Sequence, residues 1–259
     1  MKKFLAALFS LVLFFSIFSV VFAQNSESQS DSGDVPERNG DYPDPHNKNI
    51  RVRVFVHAPK AKLTPVPSAS CTDLDSTAVV SVTGWHLPQN VTYRLNVSSV
   101  PSSVGSANLT SISANAFTTW QNEVPGKVTF TKGNNTSVNR SKYDSQNIVA
   151  WGRTGAGTLA VTYIRYYPSD GLVVDVDTIM NEKYVWKWTD PSRNTCGIYP
   201  NAYDAQDILT HELGHWMGMD DHYDDSYIDN TMYGYGSKGE IKKDTLTTGD
   251  KANLNTIYP

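Results

Sequence analysis

The run His211-Glu212-Leu213-Gly214-His215 places two histidines four residues apart, with a glutamate directly after the first. On a helix, side chains at this spacing share a face, so both imidazoles can reach one zinc ion while Glu212 lies beside a metal-bound water. Gly218 allows the chain to turn back. Asp221 comes ten residues after His211, where a carboxylate can complete the three protein ligands of an open zinc site. Together these residues predict a helix that ends in a tight turn, and they indicate a zinc hydrolase.

Glu212 is the predicted general base of this site. Zinc lowers the pKa of its bound water to about 7, so a neighbouring carboxylate can take the proton and pass it to a leaving amine. A bare His-Glu-x-x-His is a weak signal, because it also occurs on ordinary solvated helix faces. Gly218, Asp221 and Met232 at their offsets, together with an export signal, strengthen it.

With these additions the sequence resembles the metzincin clan of zinc endopeptidases. The signature of that clan is His-Glu-x-x-His-x-x-Gly-x-x-His/Asp followed by a methionine turn. Aspartate as the third ligand resembles the snapalysin variant. The strand, helix and strand order from Val91, the pattern over 172–186 and the run Thr231-Met232-Tyr233-Gly234 look more like secreted matrixin-like proteases of prokaryotes. The resemblance covers roughly residues 84–259.

Carried over residue by residue, the resemblance implies zinc on His211, His215 and Asp221, with Glu212 as the base. It also implies that Met232 forms the floor beneath the metal. A tyrosine ligand or oxyanion donor stays unassigned, because Gly234 stands two residues after the turn methionine, where some metzincins have a tyrosine.

His222 competes with Asp221 for the third ligand position. Imidazole is the commoner zinc ligand, which favours His222. The register of the family places the ligand three residues after the glycine, which favours Asp221, and we predict Asp221.

The resemblance also bears on further metal ions. Animal matrixins hold a second, structural zinc through histidines upstream of the zinc helix, but no histidine lies between His86 and His211. We therefore expect one catalytic zinc. Four aspartates near the motif could chelate calcium through hard oxygens, or could form a solvated acidic loop, since no EF-hand spacing is present: Asp220, Asp224, Asp225 and Asp229.

The hydrophobic pattern predicts an α+β fold: metzincin-like, with a twisted mixed β-sheet, an active-site helix and a C-terminal helix. Apolar residues recur at helical spacing over 103–123. A second helix runs from the capping residue Asp204 to Gly218, and a last one begins at Thr248. Strand-like runs are predicted at 51–57, 79–82, 91–96, 127–131, 147–151, 158–167 and 172–179.

Residues 158–167 are expected to form the edge of this sheet. In metzincins the edge strand binds an extended substrate peptide by adding it to the sheet, so main-chain bonds supply affinity and pockets select side chains. The alternative is an ordinary strand.

Residues 1–23 are predicted to be a signal peptide. Lys2 and Lys3 precede an apolar block from Phe4 to Phe22, and the pattern before Ala23 fits cleavage there. The alternative is an uncleaved anchor, because the block approaches the roughly 20 residues that span a bilayer. With cleavage the protein is secreted and extracellular, without stable membrane insertion.

The remaining organisation follows from composition. Residues 24–49 are predicted to be a disordered linker, since they hold almost no apolar side chains. Residues 50–83 form an N-terminal segment or prosegment, and residues 84–259 the zinc peptidase domain. A net charge of -4 disfavours nucleic acid as a partner. We expect a monomer that acts on protein or peptide substrates.

Two cysteines, Cys71 and Cys196, are predicted to form a disulfide in an oxidising compartment. The alternative is that Cys71 ligates zinc as an inhibitory switch, as in matrixin propeptides. The sequence around Cys71 lacks the switch motif of that family.

The sequence thus predicts a secreted zinc metalloendopeptidase that hydrolyses peptide bonds through a zinc-bound water activated by Glu212. Two other readings stay open. One is a catalytically inactive zinc-binding module for surface attachment or adhesion, although a pure binding site has no need of the base. The other is a zinc hydrolase of another clan that takes a later glutamate, such as Glu240, as a ligand.

Overall fold

The computed structural model of the chain describes residues 35–60, 73–193 and 199–259. Its strands are β1 (Gly40–Pro43), β2 (Arg51–Pro59), β3 (Asn90–Leu95), β4 (Thr129–Lys132), β5 (Asn147–Gly152), β6 (Ala160–Tyr166), β7 (Val173–Asn181), β8 (Trp186–Lys187), β9 (Tyr203–Asp204) and β10 (Tyr235–Gly236). Its α-helices are α1 (Asn108–Gln121), α2 (Ala205–Trp216), α3 (Thr248–Lys251) and α4 (Leu254–Ile257). Short 3-10 turns lie at Val97–Ser99, Pro191–Arg193, Asp225–Tyr227 and Lys242–Asp244. The predicted signal peptide, linker residues 24–34, Cys71 and Cys196 fall outside the described residues.

Most of the described strands form one mixed sheet, in the order β1-β2-β6-β7-β5-β3-β4, with β10 paired to β2. Strands β3, β4, β5 and β7 are parallel neighbours, whereas β6, β2 and β1 add antiparallel. Helices α1 and α2 pack together over one face of this sheet. The predicted α+β class with a mixed sheet and an active-site helix is confirmed.

Residues 40–43 and 51–59 belong to this sheet. Gly40–Pro43, within the predicted disordered linker, form β1 instead and pair in antiparallel register with the first half of β2. Their composition offers little apolar surface, but β2 supplies backbone partners, and Val35 and Asp44 are buried beside it. The linker prediction therefore does not hold for this part of the chain.

The prediction that 158–167 form the edge of the sheet is wrong. Strand β6 lies between β2 and β7, and its residues Ala160–Tyr166 pair with β2 along their whole length. The sequence of β6 alone could not predict this position, because it does not show which strands pair with β6 on either side.

The helices follow the predictions with shifted ends. The face of α1 that carries Leu109, Ile112 and Trp120 is buried, and the helix begins at Asn108, after a turn. The predicted C-terminal helix is two short helices, and its cap is Thr247 and not Thr248. The predicted strand 79–82 is reduced to one bridge from Val82 to Met219.

No helix within the described ranges is both long and apolar enough to cross a membrane.

Candidate metal centre

Helix α2 presents its two histidines with a fixed tautomer. Asp204 caps the helix by accepting hydrogen bonds from the backbone N–H groups of its first turn. His211 Nδ1 lies 2.7 Å from the carbonyl oxygen of Thr231, and His215 Nδ1 lies 3.0 Å from that of Met219. A carbonyl oxygen only accepts, so each Nδ1 carries the proton. Each Nε2 therefore has a free lone pair, the state that metal coordination needs.

The chain turns back directly after α2. Gly218 has φ of +93°, and an added Cβ there would lie 2.7 Å from the carbonyl oxygen of Trp85, so glycine fits the turn on both counts. The turn carries Asp221 to the Nε2 side of the two imidazoles. Its Oδ1 lies 3.2 Å from His211 Nε2 and 3.5 Å from His215 Nε2.

These three atoms fit a metal ion. His211 Nε2, His215 Nε2 and Asp221 Oδ1 are all buried, and none has a hydrogen-bond partner. Two imidazole lone pairs facing a carboxylate repel it unless a cation lies between them. All three atoms lie within 4.8 Å of one another. Two nitrogens and one oxygen are a donor set that zinc accepts in tetrahedral sites with one open position.

The electrostatics of the site favour an ionised Asp221. Burial alone would raise the pKa of Asp221, but His215 and His211 beside it hold that pKa well below its usual range. Burial lowers the pKa of His211. For His215 the burial penalty is outweighed by Asp221, and its pKa is raised. The carboxylate is thus held ionised at the centre of the group.

Glu212 is oriented by a chain of hydrogen bonds with a fixed direction. The indole Nε1 of Trp216 can only donate, and it donates to Thr178 Oγ1 at 2.9 Å. Thr178 Oγ1 lies 2.7 Å from Thr162 Oγ1, which lies 2.6 Å from Glu212 Oε2. The hydroxyl of Thr178 therefore donates to Thr162, and that of Thr162 donates to Glu212. The other oxygen, Oε1, has no hydrogen-bond partner.

Burial raises the pKa of Glu212 to about 7, with His215 and the Thr162 hydroxyl opposing the shift. A base with a pKa near neutrality is well matched to proton transfer at neutral pH. A bound divalent cation would favour the carboxylate form. The site thus combines three side chains that could bind a cation with a carboxylate, Glu212, that is suited to proton transfer.

Met232 lies under α2, where the resemblance places it. An added Cβ on Gly214 would overlap the Sδ atom of Met232 and lie 2.7 Å from Trp120, so glycine at this position lets the helix approach both side chains. The carboxylate of Asp250 accepts hydrogen bonds from the backbone N–H groups of Thr231 and Met232. The methionine turn is therefore fixed by Asp250, a residue in the first turn of α3.

His222, the competing ligand, faces away from the metal group. Its Nε2 accepts a hydrogen bond of 2.8 Å from the backbone N–H of Ser81, and its ring stacks on Tyr227 at 4.0 Å between centroids. Glu240 is also engaged elsewhere: it pairs with Lys243 at 3.3 Å and accepts from the backbone N–H of Ser237. Neither residue appears in a group of described side chains that could hold a metal ion.

The four aspartates considered for calcium are likewise outside the metal-binding groups of the described residues. Asp220 pairs instead with Arg53 at 3.7 Å. Tyr223, which sequence reasoning left unassigned, donates a hydrogen bond of 3.0 Å to Asp221 Oδ2 and so fixes the direction of Oδ1.

Strand β2 brings two further residues to the site that sequence reasoning missed. The ring of Phe55 stacks on His215, with 3.8 Å between centroids and 5° between planes. His57 Nδ1 lies 3.4 Å from Glu212 Oε1, and its ring contacts that of His211 at 3.9 Å. Burial, and next the neighbouring His211, hold the pKa of His57 well below its usual range, so it is neutral. The only sequence signal was the period-two pattern of β2, which places Phe55 and His57 on one face.

Residues 84–259 match the family model for matrixin, a peptidase family. This range is more than half of the chain.

The chain belongs to the matrixin family.

Matrixins are zinc-dependent metallopeptidases, so membership indicates a zinc metallopeptidase that acts on proteins or peptides. The predicted metzincin resemblance is thereby confirmed at the level of the matrixin family. No curated protein matches the chain.

Proposed function

We propose that this matrixin is a secreted zinc endopeptidase with His211, His215 and Asp221 as zinc ligands and Glu212 as the general base. One observation carries the proposal. Three buried ligand atoms without hydrogen-bond partners converge beside a carboxylate that has its own dedicated donor. A binding module would need the ligands but not the oriented carboxylate. Export through residues 1–23 remains part of this proposal.

The ligand residues hold their geometry through contacts behind them. The carbonyl oxygens of Thr231 and Met219 accept hydrogen bonds from the two imidazoles and fix their orientation. Tyr223 donates a hydrogen bond to Asp221 Oδ2. When bound, zinc supplies a Lewis acid that polarises a carbonyl oxygen and lowers the pKa of water to about 7. Losing such a hydrogen-bond partner behind a ligand typically costs about 10- to 100-fold in metal affinity or activity.

Glu212 moves the proton. The Thr162 hydroxyl occupies Oε2, so Oε1 is the oxygen that can accept a proton from the attacking water. The same oxygen then donates the proton to the nitrogen of the leaving amine, which restores the carboxylate. The fixed direction of the hydrogen-bond chain from Trp216 keeps these two oxygens distinct.

The direct test replaces the base and keeps its shape. Zinc-loaded wild type should hydrolyse casein, and 1,10-phenanthroline should abolish the activity. Glu212→Gln should retain one zinc per chain but lose about 100-fold or more of the rate, the usual contribution of a general base. Equal rates for Glu212→Gln and wild type would contradict the assignment of the base. Because His57 and Phe55 of β2 lie against Glu212 and His215, the same comparison is made in the Phe55→Ala/His57→Ala variant.

A further inference from the structure

A cavity of about 410 Å³ opens on the face of the sheet that lies away from α1 and α2. Its floor is formed by Val161 and Tyr163 of β6 and by Ile179 of β7, and all three side chains are buried. Thr162, between the two β6 residues, points to the other face, where it contacts Glu212. The sheet therefore separates the cavity from the metal centre.

Three segments wall the cavity around this apolar floor: residue 37 before β1, residues 139–141 after β4, and residues 153–154 after β5. The last two segments approach closely, because an added Cβ on Gly152 would overlap the carbonyl oxygen of Asn139. Small-molecule sites have volumes of about 300–1,000 Å³ and combine an apolar lining with a few polar groups. The cavity has the size and the composition of such a site.

One carboxylate oxygen in the wall has no hydrogen-bond donor. Glu37 Oε1 accepts a hydrogen bond from the backbone N–H of Gly155, whereas Glu37 Oε2 is buried and has no hydrogen-bond partner. Leaving a buried carboxylate oxygen without a donor is costly, so the wall favours a ligand that brings a donor, most strongly a cationic one. No group of described side chains that could hold a metal ion includes Glu37. The cation that suits Glu37 is therefore an organic ammonium.

A positive charge lies near this carboxylate. Arg153 comes two residues before Gly155, the residue that holds Glu37, and lines the same cavity. Its Nε pairs with Glu182 at 3.5 Å, but the Arg153 side chain is 85% exposed, and an ion pair so open to solvent contributes little. The guanidinium carries two further nitrogens that can donate to a carboxylate. The wall thus offers an acceptor for an ammonium and donors for a carboxylate at neighbouring points.

The charges that line the cavity balance, with two acidic side chains, Glu37 and Glu182, and two basic ones, Arg140 and Arg153. A zwitterion matches both signs without adding net charge. We propose that the cavity binds a free α-amino acid with an apolar side chain. Its ammonium donates to Glu37 Oε2, its carboxylate accepts from Arg153, and its side chain lies on the apolar floor. The inference is independent of the proposed peptidase activity, because these groups lie on the other side of the sheet.

The test is isothermal titration calorimetry of L-leucine into the zinc-loaded full chain. We expect saturable binding with a dissociation constant of about 1 mM or tighter. N-acetyl-L-leucine lacks the ammonium, L-leucine methyl ester lacks the carboxylate, and L-serine lacks the apolar side chain. Each of these three compounds should bind at least about tenfold more weakly than L-leucine.

Variants of the wall assign the contacts. Glu37→Gln and Arg153→Gln should each weaken the binding of L-leucine at least about tenfold. Glu123→Gln is the matched control, since it breaks a partly exposed pair with Lys251 outside the cavity and should leave the affinity unchanged. Binding of L-leucine that is as tight in Glu37→Gln as in the wild type would overturn the inference.

The position of the ligand is measured in the wild type, so the test does not depend on how the variants fold. Intermolecular NOEs should connect the methyl protons of leucine with the ring protons of Tyr163. Amino acids also chelate zinc, so the titration is repeated in EDTA, where we expect the same affinity. Leucine that binds only with zinc present and shows no NOE to Tyr163 would refute the cavity as its site. The absence of saturable binding up to about 10 mM would do the same.

Discussion

At the scale of single residues, the metal centre depends on which atoms have no other partner. The carbonyl oxygens behind His211 and His215 use up both Nδ1 protons, and the Ser81 N–H uses the Nε2 lone pair of His222. Asp221 keeps Oδ1 free because Tyr223 engages only Oδ2. Hydrogen bonding thus leaves ligand atoms free on His211, His215 and Asp221 but not on His222.

Replacing the two competing ligands should therefore have different effects. We expect Asp221→Ala to lose nearly all bound zinc after dialysis, since two imidazoles alone bind it weakly. His222→Ala should keep one zinc per chain. Elemental analysis of both variants beside the wild type measures this. Zinc lost from His222→Ala and retained by Asp221→Ala would exchange the two assignments.

Thr162 gives a second prediction, because it is the donor that distinguishes the two oxygens of Glu212. Removing a hydrogen bond to a charged group costs about 1.5–3 kcal/mol. We expect Thr162→Val to lower kcat roughly 10- to 100-fold with KM little changed, while Thr162→Ser, which keeps the hydroxyl, stays near the wild type. Both variants should bind zinc normally. Equal losses of kcat in Thr162→Val and Thr162→Ser would mean that the packing of residue 162, and not its hydroxyl donor, affects the rate.

At the scale of elements, a buried ion cluster attaches the N-terminal hairpin to the catalytic sheet. The guanidinium of Arg165 pairs with Asp44 at 3.3 Å, with Asp175 at 3.0 Å and with Asp177 at 3.2 Å. One cation thus serves three buried carboxyl groups. Burial raises the pKa of Asp175 to about 6, against the opposing effect of Arg165, and raises that of Asp177 well above its usual value, with Asp175 adding to it.

Arg165→Met should leave three buried carboxyl groups without a cation and cost about 3–5 kcal/mol at pH 8. The folded-state pKa values of Asp175 and Asp177 are raised, so the folded protein binds protons that the unfolded chain releases above about pH 4. The stability penalty should therefore shrink as the pH falls from 8 to 5. Urea denaturation at both pH values measures it.

Arg51→Met is the matched control for Arg165→Met. It breaks a half-exposed pair with Asp41 on the same hairpin, which should cost at most about 1 kcal/mol. A similar loss in both variants would contradict a special contribution of the buried cluster.

At the scale of the whole molecule, metal binding and folding are coupled. The proposed zinc ligands come from α2 and the turn after it. The backbone that supports them extends to the methionine turn, which α3 holds in place. An unfolded chain cannot hold these groups together, so we expect zinc to bind the folded state and to stabilise it.

Zinc in thousandfold excess over its dissociation constant should add about 4 kcal/mol of stability. For a protein of this size, that corresponds to a rise in Tm of roughly 8–16 °C. Differential scanning calorimetry with zinc and with EDTA measures the difference. Asp221→Ala should show almost none of it, and a wild type indifferent to EDTA would argue against the metal centre.

The Cys71–Cys196 disulfide, secretion and calcium binding remain predictions from the sequence.

The local features of the metal centre could be predicted from the sequence. Helical spacing put His211 and His215 on one face, Gly218 could take the left-handed conformation that returns the chain, and Asp221 followed at a fixed offset. Each of these depends on a few neighbouring residues, so a pattern can show it. Strands β2 to β7 were predicted for the same reason, since the period of two is also local, whereas β1 and the two-residue strands β8, β9 and β10 were not.

Only the tertiary structure decided which strands became neighbours and what faces Glu212. Thr162, Thr178 and His57 carry no signature of their own, and they reach the site because β2, β6 and β7 pair in one register. Strand pairing is settled by burial and hydrogen bonding summed over the whole sheet, between segments far apart in the chain. Local chemistry therefore indicated the proposed metal ligands, and long-range pairing determined that strand β2 lies against two of them.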